Sequence, residues 1–269
     1  MIELQSHSTY SDGELEPQLV VEAAADAGVT VLALSDHDAI AGVAVAQATA
    51  KQRGIELVPA VEMSCVHEFA DDLHVLGYWM DTEKIAPACD RAQRERIQRA
   101  EEIIEKLRGH GFDVTLLDAV GEAGDALSIG RPHIAKAAGA KPEEMGAFFE
   151  EYLVPGAKAF VPRRWPTADE AVDLIHNAGG VAVVAHPFWD IDDPAHVRQL
   201  VEALDIQGIE CFYPAHTPEQ TKFVLELCKE RGLTPTASSD FHGPNHKTFA
   251  RFGAYDTYGL GEPQVPGRP

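Results

Sequence analysis

The stretch VTVLALSDHD, residues 29–38, sets two unlike chemistries end to end. Residues 29–34 are apolar and partly β-branched, the composition of a short buried strand. Residues 35–38 then supply a hydroxyl, a carboxylate, an imidazole and a second carboxylate. The Ala-rich segment 40–53 follows and stops at Gly54, so it reads as a helix. The unit is therefore a strand, a polar tip at its C-terminal end, and a helix.

Outward from this stretch the same unit recurs. MIEL leads into QSH at residues 5–7, IELVPAV (55–61) into Glu62, and GGVAVVA (179–185) into HP. IQGIECF (206–212) leads into YPAH, and LTPTAS (233–238) into SDFH, while LHVLGYW (73–79) carries His74 within it. Helical patterns separate most of these runs. Residues 17–27 open on Pro17, a favoured first helical residue, and end before Gly28. TADE (167–170) and TPEQ (217–220) are capping boxes for helices reaching about Asn177 and Arg231. Such alternation predicts an α/β fold with a mostly parallel sheet. The alternation breaks from about 81 to 166, where residues 84–108 read as one long charged helix. GRPHIAKAAG and KPEEMGAFFEEYL read as two shorter ones. We expect a barrel-like domain made of residues 1–80 and 167–258, a helical insertion at 81–166, and a flexible Gly/Pro-rich tail at 259–269.

The 269 residues include 43 acidic and 22 basic side chains, a net charge of −21. A chain this acidic lacks the basic stripe needed to bind long nucleic acid. It remains compatible with a small phosphorylated substrate if cations are concentrated locally, and bound divalent metals would be one source. No apolar run approaches the ~18 residues of a membrane span, and no basic-then-apolar leader opens the chain. Cys65, Cys89, Cys211 and Cys228 are far apart and form no CxxC pair. They read as reduced thiols of a cytoplasmic protein.

The polar tips gather on one edge. In parallel α/β folds the C-terminal ends of the strands are where sites are built. Collected there, the tips offer His7, Asp12, Asp36, His37, Glu62, His74, His186, Asp240 and His242. Any one of these could be an ordinary polar residue or a turn cap. Together they form a set of imidazoles and carboxylates able to hold two or three metal ions. Gln5, two residues before His7, is an amide where a metal site would welcome a second imidazole. His110, His176, His196 and His246 have no such clustered partners in sequence, and His67 reads as a surface residue.

Six stretches, HSTYSDG, ALSDHDAIAG, VPAVEMS, LHVLGYWMD, VVAHP and SSDFHG, resemble the ordered motifs of the PHP (polymerase and histidinol phosphatase) family. The resemblance runs to about residue 255. It is strongest with stand-alone bacterial phosphoesterases acting on nucleoside 3′,5′-bisphosphates and short oligonucleotides. It implies a distorted seven-stranded (β/α) barrel, TIM-like, with a trinuclear metal centre. Carried over by position, Gln5, His7, Glu62 and Asp240 fall at the first metal. Glu62, His74 and His186 fall at the second, and Asp12, His37 and His242 at the third. The family motif begins His-x-His where this chain has Gln5-x-His7. An amide oxygen binds Mn, Fe or Zn less strongly than imidazole, so the resemblance implies a weaker first site or one preferring a harder ion such as Mg.

The implied chemistry is hydrolysis of a phosphate monoester by a hydroxide shared between two metals. Asp36 would orient a ligand, or else cap a turn. His216, at another strand end, would protonate the leaving oxygen, or simply sit at a helix start. Cations for the substrate's other phosphate would come from Arg96, Arg99, Arg131, His133 and Lys158, with Arg163 and Arg164 also in reach by sequence. The resemblance further implies that the insertion caps the substrate. Two other readings stand beside this one: a phosphatase for a metabolite such as histidinol phosphate, and a metal-binding domain that has lost catalysis.

Overall fold

A computed structural model describes residues 1–124 and 129–267. Residues 125–128 of the expected insertion and 268–269 of the expected tail lie outside the described residues. Seven strands form one sheet in chain order: β1 (Ile2–Glu3), β2 (Val31–Leu34), β3 (Glu56–His67), β4 (Ala70–Tyr78), β5 (Val181–Val184), β6 (Gly208–Phe212) and β7 (Thr234–Ala237). β1 and β7 approach each other through Leu4 N–H to Ala237 O (3.2 Å) and a parallel bridge between Ser6 and Phe241. The sheet is thus a nearly closed, distorted barrel, as expected.

Five helices connect strands on the barrel's outside. They are α1 (Pro17–Asp26), α2 (Ala41–Arg53), α7 (Ala168–Asn177), α8 (Pro194–Ala203) and α9 (Pro218–Arg231). Both capping boxes form: Thr167 and Glu170 exchange hydrogen bonds at α7, and Thr217 and Gln220 do so at α9. Helix α8 was not anticipated, although Asp193 at its cap and Pro194 at its first position are start signals. Strand side chains alternate. Val31 and Ala33 point into the barrel with Leu4, Val58, Ala60, Leu76, Tyr78 and Val183. Leu32 and Leu34 face outward onto the helices. The short strands therefore bury both faces, which is why they read as continuous apolar runs.

Strand β4 departs from the parallel pattern. It pairs antiparallel with both β3 and β5, and β3 and β4 form a hairpin turning between His67 and Ala70. No helix separates their sequences, so the hairpin is the short connection available. As a result Glu62 and His74 sit in mid-strand rather than at strand tips.

Between β4 and α7 lie α3 (Thr82–Gly109), α4 (Leu116–Ala123), α5 (Arg131–Ala137) and α6 (Met145–Phe148), the last continued by a π-helical turn (Phe149–Leu153). They pack around their own apolar cluster, which includes Ile103, Ile104, Leu107, Val114, Ile134, Leu153 and Val161. Described residues of the expected tail lie against the barrel. Gln264 N–H donates to Pro235 O (2.9 Å), Trp79 Nε1–H donates to Pro266 O (2.8 Å), and Val265 packs on the cluster inside the barrel. The described tail residues close over the barrel end because that end would otherwise expose apolar side chains to water.

Candidate metal centre

The loop after β1 is folded tightly back on itself. Gly13 N–H and Ser11 N–H both bond to Ser8 O, and a Cβ on Gly13 would stand 2.4 Å from His7 O. Only glycine fits that approach. The buried Asp36 carboxylate holds the loop from the other side. It accepts from Ser8 N–H, Ser8 Oγ–H and Ser11 Oγ–H, each at 2.7 Å. Asp36 therefore fixes the segment carrying His7 and Asp12 through these serine hydrogen bonds. Three further loop residues, Asp38, His186 and Asp240, adopt positive φ (51°, 21° and 54°). Such backbone is strained for non-glycine residues and is held where the surrounding structure demands it.

Glu62 lies fully buried at the centre. Its Oε1 is 2.7 Å from His74 Nδ1 and 3.2 Å from His186 Nε2. Its Oε2 is 3.1 Å from His7 Nε2, 3.6 Å from His37 Nδ1 and 2.9 Å from Gln5 Nε2. Asp240 Oδ1 approaches His7 Nε2 to 3.0 Å. Asp12 sits 3.5 Å from His242 Nε2 through Oδ1 and 3.8 Å from His37 Nε2 through Oδ2. Three overlapping sets have ligand-type atoms within 4.8 Å of one another: His7, Asp12, His37 and His242; His37, Glu62 and His74; His7, Glu62 and Asp240. The nine residues expected at the metals are thus neighbours, from both ends of the chain and its middle.

The donor chemistry fits divalent cations. His7 Nε2, Asp12 Oδ1, His37 Nδ1 and Asp240 Oδ1 are buried and have no aligned hydrogen-bond partner among the described residues. Orphaned buried polar atoms are costly, and four that converge on one space suit a shared positive ion. Burial pushes the His37 imidazolium down to about 4, so its ring is neutral and one ring nitrogen keeps a lone pair for an ion. Burial works against ionisation of Asp240, yet His242 and His7 outweigh it and bring the carboxyl to about 2. Glu62 is likewise held well below the usual range: burial opposes this, and His37 and His74 prevail.

Behind this rim stand groups that sequence reasoning missed. Glu210, inside the barrel, accepts from His186 N–H (2.9 Å) and from Ser238 Oγ–H (2.5 Å). Ser238 Oγ also lies 3.3 Å from Gln5 Oε1. Tyr213 donates to Asp240 Oδ2 (2.9 Å). Glu210 lies inside the apolar run IQGIECF rather than at its tip, and Tyr213, which opens YPAH, is not a residue type that announces a metal site. His246, read as isolated, has its ring centroid 5.2 Å from that of His242.

The rim opens into a cavity of about 220 Å³ lined by Asp12, His37, Glu62, His74, Asp240 and His242. The expected insertion supplies Arg96, Arg99, Arg131 and Arg163 to the same lining. Arg96 is tied to Asp38 (2.6 Å) and Ser64 Oγ (2.6 Å), and Arg131 to Asp72 (2.6 Å). Arg99 Nε–H donates to a backbone carbonyl, Val161 O, at 2.7 Å. Burial, with Arg163 and Arg131 alongside, pulls its guanidinium down to about 9, a sign of local cation excess.

Three expected site residues lie elsewhere. His133 is buried, does not line the cavity, and accepts Gly130 N–H at its own helix start (3.1 Å). Lys158 is exposed and paired with Glu151, outside the lining. His216 packs against Phe188 with Nδ1 3.1 Å from Cys211 O, also outside the lining. Burial pushes its imidazolium down to about 4, which leaves it without a proton to give at neutral pH. None of the described helices is long and apolar enough to cross a membrane.

Known proteins share this architecture. A 5′-3′ exoribonuclease of Haemophilus influenzae is 35% identical over 249 residues, spanning 90% of each chain. A 3′,5′-nucleoside bisphosphate phosphatase of Chromobacterium violaceum is 34% identical over 256 residues, spanning 90% of this chain and 87% of its own. The solved structure of an amidohydrolase from C. violaceum, with bound sulfate and no metal, superposes with a TM-score of 0.86 at 30% identity. It covers 97% of this chain and 93% of its own. Residues 3–152 match the PHP domain family. With a barrel of this topology, a convergent set of metal-type ligands and relatives of this likeness, the chain belongs to the PHP family and is a hydrolase.

Proposed function

We propose that this protein is a metal-dependent phosphoesterase acting on nucleoside 3′,5′-bisphosphates or short oligonucleotides, a reading supported by its likeness to a 3′,5′-nucleoside bisphosphate phosphatase and a 5′-3′ exoribonuclease. The observation that carries the reading is the pairing of two groups. A cluster of unsatisfied carboxylate and imidazole atoms shares the lining of one small cavity with four arginines, of which Arg163 is buried and Arg96, Arg99 and Arg131 are partly buried. A substrate with two phosphates has one for each group.

His7, Glu62 and Asp240 would hold one ion with Gln5 beside it, and Glu62, His74 and His186 a second. Asp12, His37 and His242 would hold a third. Mn, Fe or Zn suit the imidazole-rich positions, and Mg suits the one beside Gln5. Bound there, divalent ions activate water for attack on phosphorus and neutralise the phosphate oxygens. Asp36 fixes the His7–Asp12 loop, Glu210 fixes His186 from behind, and Tyr213 orients Asp240. Arg99, with Arg131 and Arg163, would bind the phosphate that is not cleaved. The helical insertion at 81–166 would cap the substrate, since these arginines reach the cavity from it or its C-terminal edge. The charge of −21 makes long nucleic acid an unsuitable partner.

The test is phosphate release by Mn²⁺-loaded protein from nucleoside bisphosphates, mononucleotides, short RNAs, histidinol phosphate and sugar phosphates. Preferred turnover of bisphosphates or 5′-phosphorylated short RNAs is expected. Preferred turnover of histidinol phosphate would replace the nucleotide reading. A second reading, a weakened metal-binding domain, draws on the Gln5 amide nitrogen facing Glu62. Metal content decides it: two or more ions per chain favour the enzyme.

A further inference from the structure

The cavity has a third part to its lining, made of neither metal ligands nor arginines. Trp189 lies in the loop between β5 and α8, three residues after His186, and lines the cavity. Its side chain is 54% exposed, although tryptophan is normally well covered. Among the described residues, the other exposed large apolar side chains, Leu117, Leu19 and Tyr258 among them, do not line that cavity.

The ring is held in place rather than dangling. Trp189 N–H closes a turn onto His186 O (2.8 Å). The neighbouring Asp190 accepts Asp72 N–H (3.0 Å), and Asp72 pairs with Arg131 of the same lining. Tyr213 and Phe249 support the indole, with ring centroids 6.3 Å and 6.0 Å away. Both supports are buried and themselves line the cavity. The indole centroid is 6.0 Å from that of His186, so the aromatic surface begins next to the metal rim.

Resting on the nucleotide reading above, we infer that Trp189, supported by Tyr213 and Phe249, is a stacking shelf for the substrate's nucleobase. A flat, supported, half-exposed indole beside a phosphate-type site suits a planar aromatic ligand. Every base has a π-face, so a shelf of this kind favours nucleotides over sugar phosphates without selecting a base.

The experiment compares adenosine 3′,5′-bisphosphate with ribose 3,5-bisphosphate, which carries both phosphates and no base. With Mn²⁺-loaded full-length protein, kcat/KM is measured for wild type, Trp189→Ala, Trp189→Leu and Trp189→Phe. Wild type should prefer the adenosine compound, and the Ala and Leu variants should lose that preference by about tenfold. Trp189→Phe should keep most of it. An unchanged preference in both non-aromatic variants overturns the shelf. If wild type hydrolyses neither compound, the parent reading fails instead. The shelf is then judged by calorimetric binding of the two compounds to the same four proteins: loss of adenosine preference in the Ala and Leu variants supports it, and equal affinities overturn it.

Discussion

Gln5 turns its amide nitrogen toward Glu62, with Nε2 2.9 Å from Oε2, while its oxygen lies 3.3 Å from the Ser238 hydroxyl. Nitrogen of an amide does not ligate, so in this arrangement Gln5 restrains the central carboxylate. To act as a ligand the amide must turn over, presenting Oε1 to the ion and Nε2 to Ser238, which can accept. Gln5→His should remove this requirement and raise metal content per chain after equilibration with Mn²⁺, read by elemental analysis. Unchanged content would show that the amide already serves as well as an imidazole.

His186→Ala and Asp240→Ala should each reduce phosphate release by more than the 10- to 100-fold typical of losing an outer supporting partner. His186 touches Glu62, and Asp240 touches His7, at the centre of the cluster. Full activity in either variant, with circular dichroism unchanged, would remove that residue from the metal set.

Chelation should lower thermal stability. The buried carboxylates and imidazoles lose their shared counter-ions, and a ligand at a hundred times its Kd contributes about 2.7 kcal/mol to the folded state. The melting temperature should drop by several degrees in EDTA and recover with Mn²⁺. A melting curve indifferent to EDTA would argue against a built metal centre.

Asp38→Asn tests the bond between barrel and insertion. Asp38 is buried, accepts Ser64 N–H and pairs with Arg96 of α3. Asparagine tolerates its φ of 51°, so the backbone should not object. What is lost is the buried charge pair, at about 3 kcal/mol. A urea midpoint equal to wild type would show that Arg96 is balanced by other carboxylates.

His216 should make stability pH-dependent. Burial depresses its folded-state pKa to about 4 from an ordinary 6.5. Between these values the unfolded chain binds a proton that the folded one refuses, so stability is present above pH 6.5 and lost as pH falls toward 4. The full contribution is about 3 kcal/mol. His216→Asn should show a shallower decline over this window in denaturant titrations, and parallel curves would contradict the assignment.

The fold was legible where local pattern and chemistry agree. Apolar, β-branched runs such as 29–34 read as buried strands, helices α1 and α9 carry their own start and stop residues, α2 shows its stop at Gly54, and α7 shows its start at Thr167. The α8 start at Asp193-Pro194 carries an equally readable signal. The site was legible because imidazoles and carboxylates accumulated after strand after strand, a pattern that core packing does not require.

The amino-acid sequence alone determined the strand–helix order, the helical insertion and the set of ligand-type residues, because these follow from periodicity, capping and side-chain chemistry within a few residues. Tertiary structure decided the rest. It made β4 antiparallel, which placed Glu62 and His74 in mid-strand. It brought Arg99, Arg131 and Arg163 to the cavity while leaving His133 and Lys158 outside, since a helix's inward face depends on how it docks. It laid the tail across the barrel end, aimed the Gln5 amide and stood Trp189 beside the metal rim. Apart from the β3–β4 hairpin, each of these depends on contacts between residues far apart in the chain, and such contacts leave no trace in local sequence pattern.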